Sequence, residues 1–181
     1  ALAAGCSVII KASEVAPCAL LYFGKLIKEA GFPDGVVSII TGDAKNCAVP
    51  LTTHPDIDRI AFTGGAETAK QIIINSAENF AVTTLELGGK SPIIVFEDAD
   101  IESAVNGIIA GNYGASGQSC VAGSRVIVQE SIKKDVIARL TEKTQNIKVG
   151  SPTDPKTHVG PLCTEKQIIL IEDTLKKAKL Q

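Results

Sequence analysis

Short apolar runs alternate with helical stretches through the first half of this chain, and that alternation constrains its fold more than any other feature. Cys6–Ile10, Val36–Ile40, Ile57–Phe62 and Ala81–Glu86 are rich in β-branched and aliphatic residues and read as buried strands. Between the first two, a helix is expected from Pro17 to Ala30. Pro17 suits its first turn, Leu20, Phe23, Gly24 and Ile27 share a face, and Gly31 ends it. Asp43 is placed to cap a short helix that stops near Thr52–Pro55, and Thr63-Gly64-Gly65 turns into another from Ala66 to Ser76. Strands separated by helices imply right-handed crossovers and a mostly parallel sheet. The expected class is therefore α/β, with half or more of a doubly wound nucleotide-binding sheet. No G-x-G-x-x-G occurs, so the pattern alone names no dinucleotide.

Leu87-Gly88-Gly89-Lys90 breaks this rhythm, and a domain boundary is expected there, with residues 1–88 on one side and 89–181 on the other. Past it, Pro92–Phe96 reads as a strand, and Asp100 as the cap of a helix reaching Tyr113. A loop rich in Gly and Ser, Gly114–Cys120, leads to a strand at Arg125–Gln129 and a helix from Ser131 to Ile147. A loop from Ser151 to Pro161 precedes a last helix beginning at Thr164.

Composition narrows the function classes. Eighteen Lys+Arg against twenty Asp+Glu give a net charge of -2, and aromatics are 4% with no Trp. Neither a basic footprint nor a base-stacking platform is present, so no nucleic-acid partner is expected. No apolar run approaches the roughly twenty residues of a membrane span, so no membrane partner is expected. The chain has no Met and opens and closes in structure-forming sequence, which reads as an internal segment of a longer protein. Its five cysteines are an odd number without metal-ligand spacing, and with two His no metal site is expected. Cys6, Cys18 and Cys47 sit among apolar residues and read as small buried hydrophobes. A reducing, cytoplasmic compartment follows.

Four places could carry chemistry. Cys120, unlike the other cysteines, lies in a polar, glycine-rich loop between a helix and a strand. That is the setting a nucleophilic thiolate needs, although an inert loop cysteine would look the same. Glu86 closes a strand and faces the usual ligand crevice of a parallel sheet, or simply reaches water. Phe62-Thr63-Gly64-Gly65 is a strand-to-helix turn whose glycines suit a phosphate at a helix N-terminus, or a tight turn with no ligand. Lys11-Ala12-Ser13-Glu14 leaves the first strand with a donor and an acceptor near the same sheet edge. No G-x-S-x-G or G-x-x-x-x-G-K-[ST] motif offers another route.

Taken together these segments resemble the aldehyde dehydrogenase family. Leu85-Glu86-Leu87-Gly88-Gly89-Lys90-Ser91-Pro92 is similar to its glutamate signature. Gly117-Gln118-Ser119-Cys120 with Ala122-Gly123-Ser124-Arg125 is similar to its cysteine signature. The order of the motifs matches over essentially the whole chain. The resemblance implies a partial NAD-binding domain over 1–88 and a partial catalytic domain over 89–181. It implies Cys120 as nucleophile, Glu86 as the base that activates water, and a small-molecule aldehyde as substrate. It places Lys11, Ser13, Glu14, Gly42, Phe62, Thr63, Gly64, Gly65 and Leu87 around the cofactor, which is expected to be NAD rather than NADP. It further implies a homodimer or homotetramer for the whole protein, and an oxyanion-hole Asn and a nicotinamide-ribose Glu outside this chain.

The chain departs from the family pattern at Ala12, where Pro is usual, at Gly65, where Ser is frequent, and at Ala44, where Gly is common. Two other readings compete. In a CoA-acylating relative, CoA would take the acyl group, but Glu86 would then have no task as a base. A non-catalytic nucleotide-binding or structural relative would need neither Cys120 nor Glu86.

Overall fold

The computed structural model describes residues 1–180 and divides into two compact units, Ala1–Glu86 and a second beginning at Leu87. In the first unit, β1 (Val8–Lys11) and β2 (Val37–Ile40) pair in parallel, with Val8 opposite Val37 and Lys11 opposite Ile40. The crossover between them is α1 (Cys18–Glu29), which lies on β2: a Cβ at Gly24 would sit 3.5 Å from the Ile39 side chain. Leu20, Gly24 and Ile27 form the half-buried face, as their spacing requires, whereas Phe23 is 46% exposed and does not join it. Gly31 follows the helix at φ +82, the left-handed conformation that a glycine adopts without a Cβ penalty.

After β2 the chain makes a wide helical turn over Ala44–Ala48 and runs directly into α2 (Val49–Thr53). The expected Asp43 cap is present, accepting from the Asn46 N–H at 2.6 Å. β3 (Arg59–Gly64), α3 (Ala66–Ser76) and β4 (Val82–Leu87) follow, with β3 beside β4. α2 and α3 meet through a buried polar contact, in which Asn75 Nδ2 donates to Thr52 Oγ1 at 2.8 Å and Gln71 donates to Asn75 Oδ1. Pairing of both partners is what makes such burial tolerable.

The second unit pairs β5 (Pro92–Val95) with β6 (Arg125–Val128), again in parallel. The Asp100 cap expected for α4 (Ile101–Tyr113) accepts from Ser103 N–H at 2.8 Å. α4 packs with α5 (Lys133–Gln145) over the Ile93 and Val95 face of the sheet. Val95, Val105, Ile108 and Val136 form its core. α6 (Glu165–Ala178) closes the described residues.

Three expectations are corrected. The strands do not merge into one four-stranded sheet; among the described residues the ladders form as three separate pairs. With only two strands in each ladder, they are not buried runs either. In β5–β6, alternation sends Ile94 and Ile127, opposite each other, to the face that carries no helix, where they are 58% and 50% exposed. Cys6 and Cys18 are exposed and Cys47 is half-buried, because Cys6 precedes β1 and Cys18 opens α1 rather than lying on its packed face. The total exposed area is 13042 Å². Two separate compact domains sharing this mass would expose about 10,000 Å². Apolar faces built for burial are therefore open on this chain.

Candidate active site

At the carboxyl ends of β1 and β2 the first unit gathers one set of candidate residues. Lys11 is the last residue of β1, and Ala12, which is buried, continues the ladder by donating to the Ile40 carbonyl at 2.9 Å. The chain then turns, and Lys11 Nζ pairs with Glu14 Oε1 at 2.9 Å. Ser13 Oγ accepts from the Val15 N–H at 3.4 Å, which helps to shape the turn. Opposite, Gly42 leaves β2 so close to Cys47 that a Cβ there would lie 2.6 Å from the Cys47 Cβ. Only glycine lets this loop fold back on itself. Asp43 is held below its ordinary carboxylate value, chiefly by the Asn46 N–H, next by the Asn46 amide, and least by the charge of Lys11.

The second set sits at the end of β3. The Phe62 ring lies over Gly64, where a Cβ would be 2.4 Å from the ring edge. Thr63 is exposed, and Gly65 caps α3 in extended geometry with φ -79 and ψ 150. No side chain caps this helix, and the space around the Gly65 Cα is open. The first N–H groups of α3 are therefore left to an outside acceptor. On β4, Glu86 is exposed and lies one residue before the end of the strand, which Leu87 closes, half-buried.

The second unit carries the cysteine loop. α4 ends at Tyr113, and a tight turn over Gly114–Gly117 leads to Cys120, which is exposed. Ala115, Ser116 and Gly117 have φ of +50, +55 and +74. Two consecutive non-glycine residues in the left-handed region are uncommon and cost energy that the surroundings must supply. Three contacts brace the loop around it. Asn112 Nδ2 donates to both the Ile108 and the Gly123 carbonyls at 2.9 Å, tying the end of α4 to the far side of the loop. Gly123 is packed against Ile93 so closely that a Cβ would lie 2.1 Å from its Cδ1. Ser116 Oγ donates to the Gly160 carbonyl at 3.0 Å. Asn112 and Ser116 were missed in the sequence. Asn112 near a helix end was the one available signal, while the partner of Ser116 lies 44 residues away. Among the described residues no cluster of His, Cys, Asp or Glu could hold a metal, and no helix is long and apolar enough to cross a membrane.

Comparison with known proteins identifies the family. The model of the aldehyde dehydrogenase family matches residues 1–181. The chain belongs to that family. Among its relatives, the (Z)-2-((N-methylformamido)methylene)-5-hydroxybutyrolactone dehydrogenase of Acinetobacter baylyi is 57% identical over 98% of this chain and 36% of its own length. The chloroplastic betaine aldehyde dehydrogenase of Atriplex hortensis is 42% identical over 99% of this chain and 36% of its own. Among solved structures, a double mutant of the betaine aldehyde dehydrogenase of Staphylococcus aureus superposes with a TM-score of 0.92 at 40% identity, over 99% of this chain and 36% of that one. That structure is a complex with NAD+ and contains a BME-modified cysteine. The chain spans just over a third of the length of these aldehyde dehydrogenases. The parallel α/β ladders described above are those of the family fold.

Proposed function

We propose that this chain contributes the nucleophile, the hydrolytic base and much of the cofactor cradle of an NAD-dependent enzyme that oxidises an aldehyde to a carboxylic acid. The observation that carries this reading is the cysteine loop. Cys120 is exposed just beyond a left-handed turn in a loop held by Asn112, Gly123 and Ser116, within a family signature. Residues 1–88 would serve the cofactor and residues 89–181 the chemistry.

The cradle fits NAD. The uncapped start of α3 with its open Gly65 suits a phosphate oxygen, and backbone N–H groups at a helix N-terminus favour negative charge. Phe62, Thr63 and Gly64 shape that turn, and Leu87 closes the strand beside it. Glu14 can accept from ribose hydroxyls and Lys11 can donate to them, with Ser13 and Gly42 shaping the two loops. A 2′-phosphate would meet the Glu14 carboxylate, so NAD is favoured over NADP. When bound, NAD supplies the hydride acceptor.

The chain's own residues do the rest. The Cys120 thiolate adds to the aldehyde carbon, forming a C–S bond and an oxyanion. Collapse of that oxyanion expels a hydride, which carries two electrons away and leaves a thioester on Cys120. Glu86 takes a proton from water, the hydroxide adds to the thioester carbon, and the C–S bond breaks. The acid departs and the thiolate is restored. Covalent catalysis divides one hard step into two easier ones, and a general base serves the second.

The test is Cys120→Ala in the whole protein. It is expected to abolish aldehyde-dependent NADH formation while NAD still binds with unchanged affinity by calorimetry. Retained turnover would remove Cys120 from the mechanism. Formation of acyl-CoA instead of the free acid would favour the CoA-acylating reading. The reaction belongs to the cytoplasm on this proposal, and the whole protein assembles as a homodimer or homotetramer.

A further inference from the structure

We propose that Ser116 is a positioning residue for the nucleophile: its hydroxyl, donating to the Gly160 carbonyl, holds the left-handed turn that presents Cys120. The inference rests on Cys120 being the nucleophile. It begins with a mismatch between residue type and backbone. Ala115 and Ser116 have φ of +50 and +55, a region in which neither side chain is at ease. Left alone, this turn would relax toward negative φ and carry Cys120, four residues on, to a different place. Something must oppose that relaxation.

Local contacts do little of it. Within the turn, the Gln118 N–H and the Gln118 amide both donate to Ala115 O, at 3.1 and 3.2 Å. These bonds move with the turn and cannot fix it to the unit. Asn112 anchors the entry and the exit of the loop, but not its middle. The Ser116 hydroxyl is the side-chain bond that reaches from the middle of the turn to distant chain.

Its acceptor is well anchored, as a clamp requires. Gly160 follows Val149–Val159, a bridge closed by the Gly150 N–H to Val159 O at 3.1 Å. The Lys148 N–H donates to His158 Nδ1 at 3.0 Å, the His158 N–H donates back to Lys148 O at 2.8 Å, and Lys148 Nζ pairs with Asp154 at 2.8 Å. The loop before Gly160 is therefore cross-linked several times. A fixed acceptor, a half-buried donor and a strained turn between them make this hydrogen bond the element that holds the nucleophile's setting.

Two substitutions separate the hydroxyl from the backbone. Glycine and asparagine both accept the left-handed conformation, but only asparagine can donate. In the whole protein, Ser116→Gly is expected to slow alkylation of Cys120 by iodoacetamide by roughly tenfold, the scale set by one net hydrogen bond. It is also expected to lower the rate of the NADH burst by a similar factor, with KM for NAD unchanged. Ser116→Asn is expected to restore both. Thermal unfolding is followed in parallel, so that a loss of fold is seen as such. Wild-type alkylation and burst rates in Ser116→Gly would overturn the proposal, and so would equal impairment of both variants. Cys120→Ala run alongside keeps the two readings apart. If that variant turns over, the nucleophile assignment has failed; if it is dead and Ser116→Gly behaves as wild type, only the positioning role has.

Discussion

The loops at the strand ends of the first unit and the cysteine loop of the second are built in opposite ways. In the first unit each loop is closed by its near neighbours. Lys11 pairs with Glu14, Asp43 with Asn46, Gly42 packs on Cys47 and Gly64 lies under Phe62. In the second, closure comes from far along the chain: Asn112 reaches Gly123, Gly123 packs on Ile93, and Ser116 reaches Gly160. Local closure fixes a loop wherever its few residues are intact. Distant closure makes a loop only as good as the core beneath it. A cofactor cradle can be shaped by the first means, because backbone donors and an open helix end suffice. A nucleophile needs the second, because its position must be held within fractions of an ångström while bonds form and break.

Four substitutions bear on this contrast, and the change at Glu86 is expected to have the greatest effect. Glu86→Gln, in the whole protein, removes the proposed hydrolytic base and is expected to slow steady-state acid formation by about 10²–10⁴-fold. The first-turnover burst of NADH should survive, which rapid-mixing absorbance measures. Equal loss of burst and steady state would place Glu86 before hydride loss instead.

Asn112→Ala leaves the Gly123 carbonyl unpaired and opens the base of the cysteine loop. A cost of about 1–3 kcal/mol is expected in stability, the usual penalty for a half-buried acceptor left without a partner. Chemical denaturation measures it. The contrast predicts slower Cys120 alkylation and unchanged NAD affinity. A weakened NAD affinity with normal thiol reactivity would reverse the assignment of the two regions.

Glu14→Ser should leave Lys11 free of its partner and narrow the preference for NAD over NADP. The pair is exposed, at the scale of up to about 1 kcal/mol, so the ratio of kcat/KM should move by several-fold only. An unmodified enzyme that prefers NADP would refute the placing of Glu14 beside the ribose.

The smallest effect concerns the ion pairs between α4 and α5 of the second unit. The Glu102 carboxyl is held at about 2 against an ordinary 4.5, first by the Arg139 hydrogen bond and then by Lys143. Its folded value is depressed, so its contribution is full above pH 4.5 and is lost as pH falls toward 2. The wild-type protein should therefore lose stability over that window more steeply than Glu102→Gln. Because the side chain is 47% exposed, salt should shrink the difference. Matching acid-unfolding curves would show that the α4–α5 ion pairs do not contribute.

The same contrast explains what the sequence could reveal. Capping by Asp43 and Asp100, the glycine stop at Gly31 and the helix limits were legible because each depends on neighbours within a turn. The strings around Glu86 and Cys120 are contiguous, and from them the family was legible. Three things were not. The partner of Ser116 is set by the folding of the whole unit, as is the clash that reserves position 123 for glycine. The burial of Cys6, Cys18 and the strands was misjudged because apolar composition says that a surface wants a cover, not that this stretch of chain supplies one. The ion pair between Lys11 and Glu14 could be suspected from their spacing but not established by it.

The same openness predicts the behaviour of residues 1–181 made alone. With 13042 Å² exposed and apolar faces such as that of Ile94 and Ile127 uncovered, the isolated chain should self-associate and lack turnover.

If the acyl group passes through Cys120, peptide mass spectrometry will find it there. Glu86→Gln whole protein is mixed with aldehyde and NAD, quenched in acid within the first turnover and digested. One acyl adduct is expected, on the peptide containing Cys120, absent when NAD is omitted. No adduct, or an adduct on Cys6, Cys18, Cys47 or Cys163, would contradict it.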